Sequence, residues 1–228
     1  MRGLDLMAWV AHPPFLMTEV KICGLSTPET LAAALDEGAA YVGAVIFPKS
    51  PRHIAPEAAA ELFAAARGRA GVVAVVVNPD DALLAHIGQT LKPDYIQLHG
   101  TETPQRAREV RALTGAKIIK ALSIRTDADV VGWQDWTDAA DILLFDAKPP
   151  EGASLPGGVG HSFDWSLMTG RVLPAKWFLA GGLDAANLGE ALRQTGAPMV
   201  DVSSGVERAP GVKDISLIRD FMKAARRS

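Results

Sequence analysis

The amino-acid sequence predicts an α/β fold, a single-domain (β/α)8 TIM barrel with eight parallel strands. Three observations point to it. From Glu19 onward, short β-branched runs alternate with alanine-rich runs of helical period, eight of each. YVGAVIF (41–47) and GVVAVVV (71–77) are apolar throughout, as strands covered on both faces are. The loop after the first strand, CGLST, lacks the GxGxxG turn of an open dinucleotide-binding sheet, which favours closure into a barrel.

The elements follow in order. EVKIC (Glu19–Cys23) reads as the first strand, and Pro28–Glu37 as a helix with proline in its first turn. Tyr41–Phe47 is the second strand, Pro56–Arg67 the next helix and Gly71–Val77 the third strand. Asp80–Thr90, Tyr95–Leu98, Glu102–Leu113 and Lys117–Ala121 continue the alternation. Asp127–Trp136 reads as a helix and Asp141–Phe145 as the sixth strand, followed by a glycine- and proline-rich loop from Ala147 to Ser162. A short helix over Phe163–Thr169 precedes the strand Trp177–Ala180, the helix Asp184–Thr195, the strand Met199–Val202 and a closing helix, Asp214–Arg226.

Residues 1–17 fit none of these units. They contain Pro13-Pro14 and apolar stretches too short to span a bilayer, so a loosely packed extension is expected, with Met17 as an alternative start. The barrel is expected to occupy 18–228.

Composition narrows the partners. Hydrophobic residues make up 48% of the 228, enough for a large core. A net charge of −3 carries no nucleic-acid footprint, and no basic run suggests a membrane surface. Cys23 is the single cysteine, which excludes an intrachain disulfide and a Cys-clustered zinc site, and fits a reducing, cytoplasmic setting. The histidines show no metal-ligand spacing.

In such a barrel the chemistry sits at the C-terminal ends of the strands. Cys23, Lys49, Arg52, Asn78, Gln97, His99, Asp146, Gly181-Gly182 and Ser203-Ser204-Gly205 all fall there. Gly181-Gly182 and Ser203-Ser204 follow adjacent strands. Glycine lets backbone N–H groups approach an anion and serine adds donors, so together they predict a phosphate site. Either loop alone would read as an ordinary turn.

Cys23 and Asp146 are the acid/base candidates. A thiolate accepts protons, and Lys21, two residues earlier, points to the same side of the strand. A small core hydrophobe is the competing reading for Cys23. Asp146 follows ILLF directly, a setting that suits a carboxyl to hold and donate a proton, although loop or cap aspartates look the same in sequence. Arg52 can clamp a substrate carboxylate or lie in solvent, and His99 can touch substrate or satisfy a strand end. Lys120, on the fifth strand, raises a Schiff-base alternative that its neighbours do not support.

With these residues in hand, the chain from about Thr18 resembles the phosphoribosylanthranilate isomerase family. KICGL (21–25), FPKSPRHI (47–54), IQLHG (96–100), FDAK (145–148), GGVGHSFDWS (157–166), LAGGL (179–183) and DVSSGVE (201–207) carry the likeness. Val159, His161 and the N-terminal extension depart from the family's pattern. The resemblance implies an Amadori rearrangement of a small phosphoribosyl substrate in tryptophan biosynthesis. Asp146 would be the general acid, Cys23 the general base and Arg52 the anthranilate-carboxylate ligand. Gly182, Ser203 and Ser204 would bind phosphate. The reaction has no redox or hydrolytic step, so neither metal nor cofactor is implied. The assembly would be a monomer or homodimer, and the glycine-rich loop Gly157–Gly160 a lid. A histidine-pathway isomerase would place an aspartate where Cys23 stands, and a silent phosphate-binding protein would have no need of both Cys23 and Asp146.

Overall fold

The structure, a computed structural model, describes residues 18–147 and 163–227. The expected extension over 1–17 and the Gly157–Gly160 loop, with Val159 and His161, lie outside the described residues.

Eight parallel strands close into a barrel in chain order: β1 (Glu19–Cys23), β2 (Tyr41–Val45), β3 (Gly71–Val76), β4 (Tyr95–Leu98), β5 (Lys117–Ile124), β6 (Ile142–Ala147), β7 (Trp177–Leu179) and β8 (Met199–Val202). β8 returns to β1 with Asp201 opposite Lys21, so no sheet edge is left among these strands. Outside run α1 (Pro28–Asp36), α2 (Pro56–Phe63), α3 (Asp81–Thr90), α4 (Pro104–Thr114), α5 (Asp127–Val131), α6 (Leu188–Thr195) and α7 (Ile215–Ala225). Side chains of Thr27, Asp80, Thr103 and Asp214 accept from first-turn N–H groups of their helices. Gly115 and Gly196 end α4 and α6 in the left-handed conformation, at φ 70° and 63°.

Several boundaries differ from expectation for local reasons. The helix expected from Asp184 begins at Leu188, because the Asp184 carboxylate accepts from the N–H groups of Ala186 and Asn187 and forms a turn there. Phe163–Thr169 holds only a 3-10 turn, Trp165–Met168, tied by Asp164 accepting from Ser166 N–H. Asp127–Trp136 divides at Gly132 into one α-helical turn and a 3-10 segment. Between β8 and α7 lies an unforeseen antiparallel ribbon, β9 (Glu207–Ala209) and β10 (Val212–Lys213). Pro210-Gly211 turns it, with Gly211 at φ 80°.

The two-residue period of the strands divides the core. Outward positions such as Ile22, Val42, Ala74, Ile96 and Phe145 pack beneath the helices. Inward positions such as Val73, Val75, Ile119, Leu144 and Phe178 fill the barrel. Near the N-terminal end of the barrel, Tyr41 stacks edge-on against Tyr95 and Phe178, with centroids 5.5 and 5.2 Å away. That plug leaves the C-terminal mouth as the polar end. Lys120 falls on the outward register: it donates to Gly100 O and Glu102 and lies 5.2 Å from the Trp136 ring. The Schiff-base alternative fails for that reason.

Candidate active site

β1 delivers Cys23 to the mouth of the barrel as an inward, buried side chain. The thiol packs against the apolar interior and has charged neighbours. Lys21 lies on the same face, fully buried, its Nζ donating to Asp201 Oδ1 at 2.8 Å. Burial pushes the Cys23 thiol up, while the Lys21 ammonium pulls it down, Asp201 raises it and Lys213 lowers it; the net direction is upward. Burial alone would lower Lys21, but Asp201 and Cys23 outweigh that and hold it above the usual lysine value.

Asp146 stands on β6, three strands round the barrel from β1. It is buried, and His99 Nε2 lies 3.2 Å from its Oδ2. Gln97 Nε2 lies 3.0 Å from His99 Nδ1, so Gln97, His99 and Asp146 form one chain of polar contacts. Gln97 Oε1 is buried without a partner among the described residues. The loop carrying His99 is anchored by Glu102, whose carboxylate accepts from Asn78 N–H, Gly100 N–H and Lys120 Nζ.

The two predicted phosphate loops do come together. Gly181 and Gly182 both adopt positive φ, 87° and 64°. A Cβ at Gly181 would lie 2.6 Å from Ala147 N and 3.0 Å from Asp146 Oδ1, so glycine lets this loop pass directly beside the carboxyl. A Cβ at Gly205 would lie 1.9 Å from Leu183 O, which puts the loop after β8 in backbone contact with the loop after β7. Asn187 Nδ2 donates to Gly182 O at 2.8 Å and braces the first loop. Ser203 Oγ donates to Cys23 O at 3.2 Å and Ser204 opens a 3-10 turn. These donors and glycines can hold an anion beside Cys23 and Asp146.

Arg52 is buried, not a solvated surface arginine. Its loop is tied by two hydrogen bonds: Ile54 N–H donates to Val45 O, and Arg52 N–H to Ser50 Oγ. The stem crosses Gly24 (φ 78°), where a Cβ would lie 2.8 Å from Arg52 Cδ. The guanidinium forms a fork with Glu207, and Lys213 Nζ donates to the same carboxylate at 2.7 Å and to Ser203 O at 2.8 Å. Burial would raise Glu207, but hydrogen bonds from Arg52 and the charge of Lys213 hold it below the usual carboxylate range. Lys213 itself is lowered, because burial outweighs Glu207.

Cys23, Arg52, His99, Asp146, Gly181, Gly182, Ser203 and Ser204 thus stand at the C-terminal ends of their strands or in the loops that follow them. Asp201, Glu207 and Lys213 were not foreseen. A charged residue inside a four-residue apolar strand, MVDV, was the available signal for Asp201.

Comparison with known proteins shows the following similarities. A family model described as N-(5'-phosphoribosyl)anthranilate (PRA) isomerase matches residues 20–224. The N-(5'-phosphoribosyl)anthranilate isomerase of Caulobacter vibrioides is 54% identical over 210 residues, 91% of this chain and 95% of that protein. The crystal structure of phosphoribosyl anthranilate isomerase from Thermotoga maritima superposes with a TM-score of 0.81 at 31% identity, covering 93% of this chain and all of the other. A phosphoribosyl anthranilate isomerase complexed with reduced 1-(o-carboxyphenylamino)-1-deoxyribulose 5-phosphate superposes with a TM-score of 0.78 at 30% identity, with 93% and 100% coverage.

Proposed function

The chain belongs to the N-(5'-phosphoribosyl)anthranilate isomerase family, and from that premise we propose how its own residues carry the reaction. The protein isomerises N-(5'-phosphoribosyl)anthranilate to 1-(2-carboxyphenylamino)-1-deoxyribulose 5-phosphate, a step of tryptophan biosynthesis.

Asp146 donates its proton to the furanose oxygen. The C1'–O bond breaks, and the anilino nitrogen lone pair forms a protonated Schiff base. Cys23, as thiolate, removes the C2' proton; the electrons become the C1'=C2' bond and neutralise the nitrogen. Asp146, now a carboxylate, takes the proton of the C2' hydroxyl, and the Cys23 thiol returns its proton to C1', giving the ketone and restoring both groups. Electrons move only within the substrate, so the step is redox-neutral overall.

The observation that carries this reading is the joint placement of Cys23, Asp146 and two docked glycine-serine loops at one barrel mouth. Gly181, Gly182, Ser203 and Ser204 bind the phosphate, Arg52 takes the anthranilate carboxylate, and His99 contacts the substrate beside Asp146. The catalytic unit spans 18–228, with 1–17 an extension to it. The proposed assembly is a monomer or a homodimer. A base that must remain a reduced thiol suits the cytoplasm; among the described residues no helix is long and apolar enough to cross a membrane.

The test is turnover of freshly generated N-(5'-phosphoribosyl)anthranilate by the protein beside its Cys23→Ala variant. Wild-type turnover, with loss in a variant that still binds reduced product, is the expected result. Residual turnover in Cys23→Ala close to wild type would remove the thiol from the mechanism.

A further inference from the structure

The proposed base has a charged neighbour that no step above uses. Lys21 lies two residues before Cys23 on β1, on the same inward face, and is fully buried. Gly43 on β2 brings the two side chains over one bare patch: a Cβ there would lie 3.2 Å from Cys23 Sγ and 3.4 Å from Lys21 Cε. Asp201 reaches across from β8 to hold the ammonium at 2.8 Å.

An ion pair in a barrel interior is a weak way to gain stability, because desolvation offsets much of the attraction and apolar residues often serve as well. The apolar stack of Tyr41, Tyr95 and Phe178 fills the barrel elsewhere. The pair is therefore better explained by what lies next to it.

We propose that Lys21 is a positioning residue for the isomerisation, an interior cation that Asp201 aims at the Cys23 sulfur to stabilise its thiolate. This rests on the reading of Cys23 as the base. The charged groups acting on the thiol are Lys21 from its own strand, Asp201 from β8 and Lys213 from β10. Both lysines favour the thiolate, Lys21 more strongly than Lys213, and Asp201 opposes it less strongly than Lys21 favours it. Lys21 shares the patch over Gly43 with the sulfur while Asp201 holds the ammonium from β8, so removing the whole Lys21–Asp201 pair should drive the thiol further up, and a cation kept at position 21 should not.

Because Cys23 is the single cysteine, alkylation by iodoacetamide reads this thiol alone. The experiment follows alkylation rate and kcat/KM against pH for the full chain, for Lys21→Met/Asp201→Leu, which leaves neither charge unpaired, and for Lys21→Arg. In the double variant both profiles should move to higher pH by about one unit, a tenfold loss of each rate at neutral pH. Lys21→Arg should stay within about threefold of wild type, less than half a unit. A folded double variant with an unmoved alkylation profile overturns the role of Lys21, and the Cys23→Ala result then stands by itself. An alkylation profile that moves while kcat/KM does not also overturns the proposal, and takes the reading of Cys23 as base with it.

Discussion

Arg52 grips Glu207 by two parallel contacts, Nε to Oε1 at 2.7 Å and Nη2 to Oε2 at 2.8 Å, across 155 residues of chain. The fork joins the loop after β2 to the ribbon after β8 and fixes the plane of the guanidinium. Lysine at position 52 keeps a charge but cannot make the fork. Arg52→Lys should raise KM by roughly 10- to 100-fold, given about 1.5–3 kcal/mol for a hydrogen bond to a charged group. kcat should change much less. Steady-state kinetics check this, and a fall confined to kcat would remove Arg52 from substrate binding.

Asp146→Asn keeps the size of the side chain and its place beside His99 but cannot deliver the proton. Turnover should fall by about 10²–10⁴-fold, the usual contribution of general acid catalysis, with KM little changed. A variant whose defect lies in KM alone would show that Asp146 binds rather than protonates.

Gly181→Ala tests whether the loop must pass so close to the acid. The position combines φ 87° with a Cβ 2.6 Å from Ala147 N. Gly115→Ala is the control, having φ 70° and nothing within 4 Å. Positive φ alone costs about 1–2 kcal/mol in both. Gly181→Ala should therefore lose more in thermal melts than the control, and should also lose activity, while Gly115→Ala stays active. Equal melting shifts and equal activity would mean that the approach to Asp146 is not required.

Acid should weaken the clasp between the two loops. Glu207 is held below its ordinary value of 4.5, so its folded carboxylate binds protons less readily than the unfolded one. Its contribution is present above the unfolded value and is lost as pH falls from there through the folded value. Wild-type melting temperature should therefore drop as pH decreases below about 4.5, and Glu207→Gln should flatten that part of the curve. Parallel acid limbs in both proteins would show that the pair adds nothing to stability.

The eight-strand barrel was legible because β-branched runs and helical runs alternate along most of the chain, and the mouth because Cys23, Asp146 and the glycine loops fall at the ends of their strands. What escaped was register and partnership across the chain. Lys120 looks like a lumen residue until counting by twos from Ile119 turns it outward. Lys21 and Asp201 are 180 residues apart, and only closure of β8 onto β1 makes them neighbours. ERAPGVK (207–213) fell between the last expected strand and the closing helix, although its Pro210-Gly211 pair was a turn signal for the ribbon that carries Glu207 and Lys213.

Gly205 lies so close to Leu183 that the loops after β7 and β8 share a single backbone surface. Laboratory evolution toward a substrate with a bulkier or uncharged tail would meet this as epistasis. A change that widens one loop is blocked by the other, and the benefit of either mutation depends on which came first. Productive routes should run through paired substitutions across the Leu183–Gly205 seam, in libraries that vary both loops together.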